Sequence, residues 1–381
     1  QRNWESSKIT RKYPQFRKFN QEDKLMKKRI LALSMAVVMA FGLTACGGSS
    51  SGNAGTTAAA GGSETTAAAA SGKTYKIKLH HDLAEDSSQH EGLVKFKDLV
   101  EEKSGGAVQI QIFPNNTLGS DEEVAEMLQT GSVEAALIPT AKLSGFYAPL
   151  QLLDLPFVFP NRDACYGALD DAEFKSMLLD PMGDIGFKGI NFWESGFKQF
   201  TANKPLHTPD DFKGVNFRTM SSPLILDQFK ALGANPTPID FGETYNALQN
   251  GTVDGEENPL VSIVSMKFYE VQKNCTISNH AYLAYALLFS KSFWDTLPED
   301  IQKIIDDAAT EAVQEERQMT VDREAGYIET IKASGCEVNE LTADEIAALT
   351  EVMKPVHEKY RDVIGSDTLD KAYEIIDKYN K

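Results

Sequence analysis

The sequence predicts an α/β protein of two lobes with a long helix bridging both. Three observations carry this. The first folded stretch alternates strand and helix patterns, β-α-β-α-β, which calls for a parallel or mixed sheet with helices on its faces. The chain has 381 residues, enough for two lobes of ordinary size once its ends are set aside. From Pro298 to Ala333 one helical pattern meets no internal proline and a single glycine, Gly326. Unbroken, it would be roughly 50 Å long, more than the width of one lobe; two helices broken near Gly326 are the alternative.

Residues 1–25 are polar and basic with no clear period. They are expected to be an extension upstream of the true start at Met26. Residues 26–45 have the layout of an export signal. Lys27-Lys28-Arg29 precede an apolar run from Ile30 to Leu43, too short to span a bilayer comfortably. Leu43-Thr44-Ala45-Cys46 resembles a bacterial lipobox, which implies cleavage before Cys46 and lipidation of Cys46. The alternative is an uncleaved signal anchor with a chance cysteine. Residues 46–72, almost all Gly, Ser, Thr and Ala, cannot build a core and form a flexible tether with roughly 25–30 Å of mean reach.

Folding starts at Lys73. Tyr75–His80 alternates as a strand, and Leu93, Phe96, Leu99 and Val100 line one face of a helix over Ser87–Glu102. Val108–Phe113 is a second strand. Ser120-Asp121-Glu122-Glu123 is a capping box opening a helix that Gly131 ends, and Glu134–Ile138 is a third strand. Helices over Arg162–Leu169 and Ala172–Ile185 precede two strands, Lys188–Trp193 and Lys198–Thr201. A short strand, Val215–Arg218, leads to Ser222-Pro223, an N-cap with proline at the first helical position, and that helix closes at Gly233. Asn235–Ile239 and Phe241 are extended, Gly242–Gln249 and Pro259–Lys267 helical, and Thr276–Ser278 and Tyr285–Ser290 strands. After the long helix come a strand (Glu337–Asn339), a helix capped by Thr342 and Glu345, and a final helix from Thr368.

Setting aside residues 1–45, with 10 basic and 3 acidic side chains, leaves 28 basic against 52 acidic, a net charge of −24. That balance excludes a nucleic-acid surface, and an anionic ligand must be drawn in by local positive groups. Without Cys46 three cysteines remain, Cys165, Cys275 and Cys336, an odd number that argues for small buried apolar residues rather than a disulfide framework. The chain has no H-E-x-x-H, G-x-S-x-G, G-x-x-x-x-G-K-[ST] or G-x-G-x-x-G motif. Glu256 and Glu257 are neighbours, and on a strand they point to opposite faces, a poor layout for an acid/base pair. His80, His81 and His90 could gather a metal, yet exported loops often hold such histidines without one. No catalytic residue, cofactor or metal is expected.

Six stretches together carry a family resemblance: Phe113–Glu123 (FPNNTLGSDEE), Leu153–Phe159 (LDLPFVF), Gly233–Pro238 (GANPTP), Val253–Pro259 (VDGEENP), Lys267–Lys273 (KFYEVQK) and Ser278–His280 (SNH). In this order they resemble the extracytoplasmic solute-binding subunits of tripartite ATP-independent periplasmic (TRAP) transporters, in lipoprotein form. The resemblance implies a two-lobe periplasmic-binding-protein-like fold, with lobe 1 at 73–195 and 284–323 and lobe 2 at 196–283 and 324–381. It implies a monomeric receptor, lipid-anchored at the extracytoplasmic face of the cytoplasmic membrane. Such a receptor captures a small organic acid by hinge closure and passes it to large and small membrane subunits. A ligand-sensing lipoprotein with a signalling partner is a second reading, and an acid-catalysed hydrolase a third.

Arg218 matches the family's carboxylate-binding arginine, Asn258 its pocket asparagine, Phe241 its pocket aromatic and Asp82 a polar pocket position. Lys198 stands where many members have a second arginine, and Glu256 where they often have glutamine. The residue chemistry agrees. An arginine fork binds both oxygens of a carboxylate, whereas Lys198 would be a point charge and serves equally well in a structural salt bridge. Asn258 can donate and accept, or cap the helix starting at Pro259. Phe241, Tyr245 and Trp193 are candidate pocket walls, with burial in the core as the alternative. Asp82 and Glu194, if ionised and facing the ligand, favour hydroxyls or an amine over a second carboxylate, which tilts the expectation toward a sugar acid or hydroxy acid.

Overall fold

The computed structural model describes residues 73–380. The upstream extension, the export signal, Cys46 and the tether lie outside them. β1 (Tyr75–His80), α1 (Ser88–Lys103), β2 (Val108–Phe113), α2 (Asp121–Thr130) and β3 (Ala135–Pro139) follow in the expected alternation. The Ser87 hydroxyl caps α1 by accepting the His90 N–H. Ser120 and Glu123 close a reciprocal capping box on α2, and Gly131 ends it in the left-handed region, φ 74°. β1 lies between β2 and β3, parallel to both. Ile77, Leu79, Val108 and Ile110 share one core with Leu93, Phe96 and Val100 of α1.

α3 (Arg162–Asp170) and α4 (Ala172–Leu179) come next. The helix expected to reach Ile185 ends at Leu179, because Pro181 turns the chain into a 3₁₀ segment, Asp180–Ile185. The two strands expected at Lys188–Trp193 and Lys198–Thr201 are one, the 16-residue β4 (Phe187–Ala202). It carries register shifts between Gly189 and Asn191 and between Glu194 and Gly196, with Gly196 at φ 117°. A bulge bends a strand without ending it.

β5 (Asn216–Thr219), α5 (Pro223–Ala231), β6 (Asn235–Pro238), α6 (Thr244–Gln249), β7 (Gly255–Pro259), α7 (Leu260–Ser265), β8 (Asn274–Ile277), β9 (Tyr282–Ser290), α8 (Lys291–Trp294), α9 (Glu299–Ala333), β10 (Glu337–Glu340), α10 (Ala343–Met353), α11 (Pro355–Ile364) and α12 (Ser366–Tyr379) complete the fold. Strand order is β2-β1-β3-β9-β4-β7-β5-β6, with β8 against β4 and β10 against β8. The bend in β4 explains how one path serves two halves. Residues up to Phe197 pair with β9, and from Lys198 onward the strand pairs with β7 and β8.

α9 has 35 residues and runs unbroken past Gly326. At 1.5 Å per residue it is about 50 Å long. It packs on α1 and β4 at one end and on α7 and β10 toward the other, so the bridging helix is continuous. Val356, Tyr360, Ile364, Leu369, Ile375 and Ile376 join a core with Leu155, Phe159, Ala164 and Leu169. A Cβ on Gly167 would stand 2.3 Å from the Tyr379 ring, which is why α3 carries glycine where α12 crosses it. α12 packs on α3 and α4, whereas α11 packs on the 3₁₀ segment Ala148–Asp154 and on α5, where Tyr360 donates to Asp227 at 2.7 Å. Cys165, Cys275 and Cys336 are buried and free.

Candidate functional site

In open α/β sheets ligands sit beyond the carboxyl ends of the strands. Here those ends present His80 as the last residue of β1 and Asp82 just after it, Lys142 after β3, Arg218 on β5, and Asn258 on β7. Arg218 is 1% exposed. Its Nε donates to the Ile239 carbonyl at 2.9 Å, and its Nη2 is buried with no partner. The guanidinium carbon lies 5.9 Å from the centre of the Phe241 ring. Burial lowers the Arg218 pKa, and Glu256, Glu257 and Asp82 oppose that. A guanidinium so placed has an unused N–H for an anion, and leaving it unmet in the interior is costly.

The register Arg218↔Glu256 puts Glu256 beside the arginine. Glu256 accepts from Thr201 Oγ1 at 2.5 Å and from Asn258 Nδ2 at 2.6 Å. Burial pushes its carboxyl up to about 7. The glutamate found where glutamine was anticipated thus fixes the Asn258 amide, leaving one of its N–H groups and its carbonyl for another partner.

Facing this group is a second one, which sequence reasoning largely missed. Lys142 Nζ is 2.6 Å from Asp121 Oδ2 and 3.8 Å from Asp82 Oδ2. His80 Nε2 lies 3.2 Å from Asp121 Oδ1, and Tyr285 donates to Asp82 at 3.1 Å. Burial pushes Asp82 up to about 8, with neighbouring Asp121 adding to it. For Asp121 burial also pushes up, yet Lys142 and His80 outweigh it and hold the carboxyl at about 2. A small cavity of about 70 Å³ lies between the two groups, lined by Lys142 and Glu122 on one side and Met220, Ser221, Ile239 and Asp240 on the other. Ser221 donates to Glu122 across it. A wider groove of about 600 Å³ over Lys76, Lys78, Gln109 and Gln111 lies on the other end of β1 and β2 and contains none of these buried charges.

Arg218, Phe241, Asn258 and Asp82 are therefore brought together. Lys198 is held elsewhere. It is fully buried and its Nζ pairs with Glu257 Oε1 at 2.9 Å. His280 Nε2 takes Glu257 Oε2 at 2.6 Å, and His280 stacks on Phe200 at 3.8 Å. Trp193 is core, its indole N–H on Asn191. Glu194 is buried beside Arg162 at 3.4 Å and accepts from Tyr166. The Tyr245 hydroxyl points outward to Glu270 at 3.2 Å. None of these last three has a partner among the groups around Arg218. His81 Nε2 lies 3.0 Å from His90 Nδ1, and among the described residues no group of three or more His, Cys, Asp or Glu is placed to hold a metal.

The Asp82 environment has a pH signature. Its carboxyl pKa is raised above the unfolded value, so the stability it contributes is full below about pH 4 and is lost as pH rises through about 8. Melting temperatures measured from pH 6 to 9 should fall in the wild type and fall less in Asp82→Asn. Equal slopes would mean that Asp82 is ionised in the fold throughout.

The family described as "Bacterial extracellular solute-binding protein, family 7" matches residues 79–362. The C4-dicarboxylate-binding periplasmic protein DctP of Rhodobacter capsulatus is 38% identical over 299 residues, 77% of this chain and 88% of that protein. A TRAP periplasmic solute-binding protein from Sulfurospirillum deleyianum, solved with bound succinate, superposes with a TM-score of 0.75 at 36% identity, covering 80% of this chain and 99% of that one. The sugar acid binding protein DctPAm of Advenella mimigardefordensis, in complex with galactonate, gives a TM-score of 0.78 at 33% identity, covering 81% and 99%.

Proposed function

The chain belongs to the bacterial extracellular solute-binding protein family 7, the solute receptors of TRAP transporters, and we propose that it captures a small organic acid by closure of its two lobes. The buried Arg218 fork, with its unpartnered Nη2 at the carboxyl end of β5, carries this reading. It takes one carboxylate of the ligand, Asn258 supplies a second polar contact and Phe241 a wall. The acid is a dicarboxylate, hydroxy acid or sugar acid, in keeping with what the relatives above are described as binding. Closure needs only that the ligand touch both sides of the cleft, and the β4 bend together with α9 supplies a connection that can flex.

The receptor hands the acid unchanged to large and small membrane subunits. It stands as a monomer on the extracytoplasmic face of the cytoplasmic membrane, held by lipid on Cys46. No helix among the described residues is long and apolar enough to cross a membrane.

A thermal-shift screen over dicarboxylates, uronates, aldonates, keto acids, sialic acid and amino acids tests the reading. Ligand at 100 times its Kd should stabilise the fold by about 2.7 kcal/mol. Hits confined to acids are expected, with the acid recovered intact by mass spectrometry. A screen in which no acid raises the melting temperature contradicts the proposal, and a new product contradicts the non-catalytic role.

A further inference from the structure

We propose that Glu256 links capture of the acid to a proton: when a carboxylate settles on Arg218, Glu256 becomes protonated, so the receptor binds the acid and one proton together. This rests on the reading of Arg218 as the anchor. Glu256 is fully buried and stands opposite Arg218 in the pairing of β5 with β7. It also bonds the amide of Asn258, the second polar contact proposed for the ligand. A ligand carboxylate on Arg218 and Asn258 therefore comes to rest beside a second carboxyl group and shares one cation with it.

The groups around Glu256 leave Arg218 as the cation on which it depends. On β4, Thr201 faces it in the antiparallel pairing and donates to Oε1 at 2.5 Å. Lys198, also on β4, is committed to Glu257, whose other oxygen is taken by His280. On β8, Cys275 lies opposite Thr201, and burial pushes its thiol up, so it carries no charge. Two more acids bear on Arg218, Asp82 and Asp240. Burial pushes Asp82 up to about 8, and Asp240 is exposed. Among the described residues neither Arg218 nor Glu256 closes an ion pair, and the bonds of each go to uncharged groups.

Two carboxylates held against a single buried cation do not both stay ionised, because like charges repel strongly where water screens them poorly. In the free site burial pushes the Glu256 carboxyl up to about 7, against the pull of Thr201, Asn258 and Arg218. A ligand carboxylate cancels the pull of Arg218 and raises the group further. Binding is then strongest below about pH 7 and weakens above it, where the proton must be drawn from the medium. The hydrogen bonds permit both states. Protonated, Glu256 donates through Oε1 to the Thr201 hydroxyl, which accepts as well as donates, while Oε2 keeps the Asn258 amide in place.

Calorimetry at pH 8 with succinate and with galactonate tests this. Each is run in two buffers of different ionisation heat, so that the difference counts the protons exchanged, and both probes are already ionised there. The wild type should take up close to one proton per acid bound, and its affinity should fall on the order of 10-fold or more between pH 7 and 9. Glu256→Gln, which can keep both bonds without a titrating group, should take up close to none and show a flat profile. Thr201→Val removes a donor to the ionised carboxyl and should move the fall in affinity to higher pH. Asp82→Asn, at the other raised acid near Arg218, should keep the uptake. No uptake in the wild type, equal uptake in Glu256→Gln, or uptake lost only in Asp82→Asn overturns the assignment of Glu256 and leaves the acid-receptor reading standing. A wild type that binds neither probe overturns both.

Discussion

Arg218→Ala is expected to weaken binding of the acid identified by screening by about 2–5 kcal/mol, the cost of removing one partner from a buried charge pair. Calorimetry reads it directly. The size follows from burial: Arg218 is screened from water, and in the variant the bound carboxylate would face only Asn258 and neutral or acidic neighbours. Arg218→Lys restores the charge without the fork and should recover part of the loss. The fold itself should tolerate the change, because Glu256, the facing carboxyl, has its own bonds from Thr201 and Asn258 and is held near 7 by burial. An affinity unchanged in Arg218→Ala would remove Arg218 from the site.

Lys198→Met should cost about 3–5 kcal/mol of folding stability in chemical denaturation, since it strands Glu257 in the interior with His280 as its remaining partner. The double variant Lys198→Met with Glu257→Gln removes both charges and should recover most of that loss. Burial pushes the Glu257 carboxyl up, but Lys198 and His280 pull it down to about 2. A depressed carboxyl pKa contributes stability that is present above about pH 4.5 and lost as pH falls toward 2. Acid titration of the wild type should show that loss, and the double variant should not. If Lys198→Met were as stable as wild type while losing ligand, Lys198 would be a ligand group and not part of the scaffold.

Local signals in the sequence marked most of the elements. The capping boxes at Ser120 and Thr342, the Ser222-Pro223 start and the apolar period of α9 each fix a helix by short-range chemistry, and each stands where the pattern put it. The single strand β4 was hidden because Glu194-Ser195-Gly196 looks like a turn; the long-range pairing with β9 and β7 carries the chain through it. The core that a helix covers is set in the same way by distant partners: α12 crosses α3 at Gly167, some two hundred residues away.

The site was half legible. Arg218, Asn258 and Phe241 were marked by motif resemblance, and they meet. Lys142 was not singled out, because a lone lysine in Thr140-Ala141-Lys142-Leu143 resembles any surface lysine until β3 delivers it to Asp121 and Asp82. Trp193 and Tyr245 show the opposite limit, for an aromatic near a site in sequence can fill the core or lie toward the surface.

The most direct test is a crystal structure of the protein with the acid that gives the largest thermal shift. The account predicts one carboxylate within hydrogen-bond distance of Arg218 Nη2 and Asn258, between the two halves of the fold and against Phe241. Density for the acid on another surface, with Arg218 Nη2 still unpartnered, would contradict it.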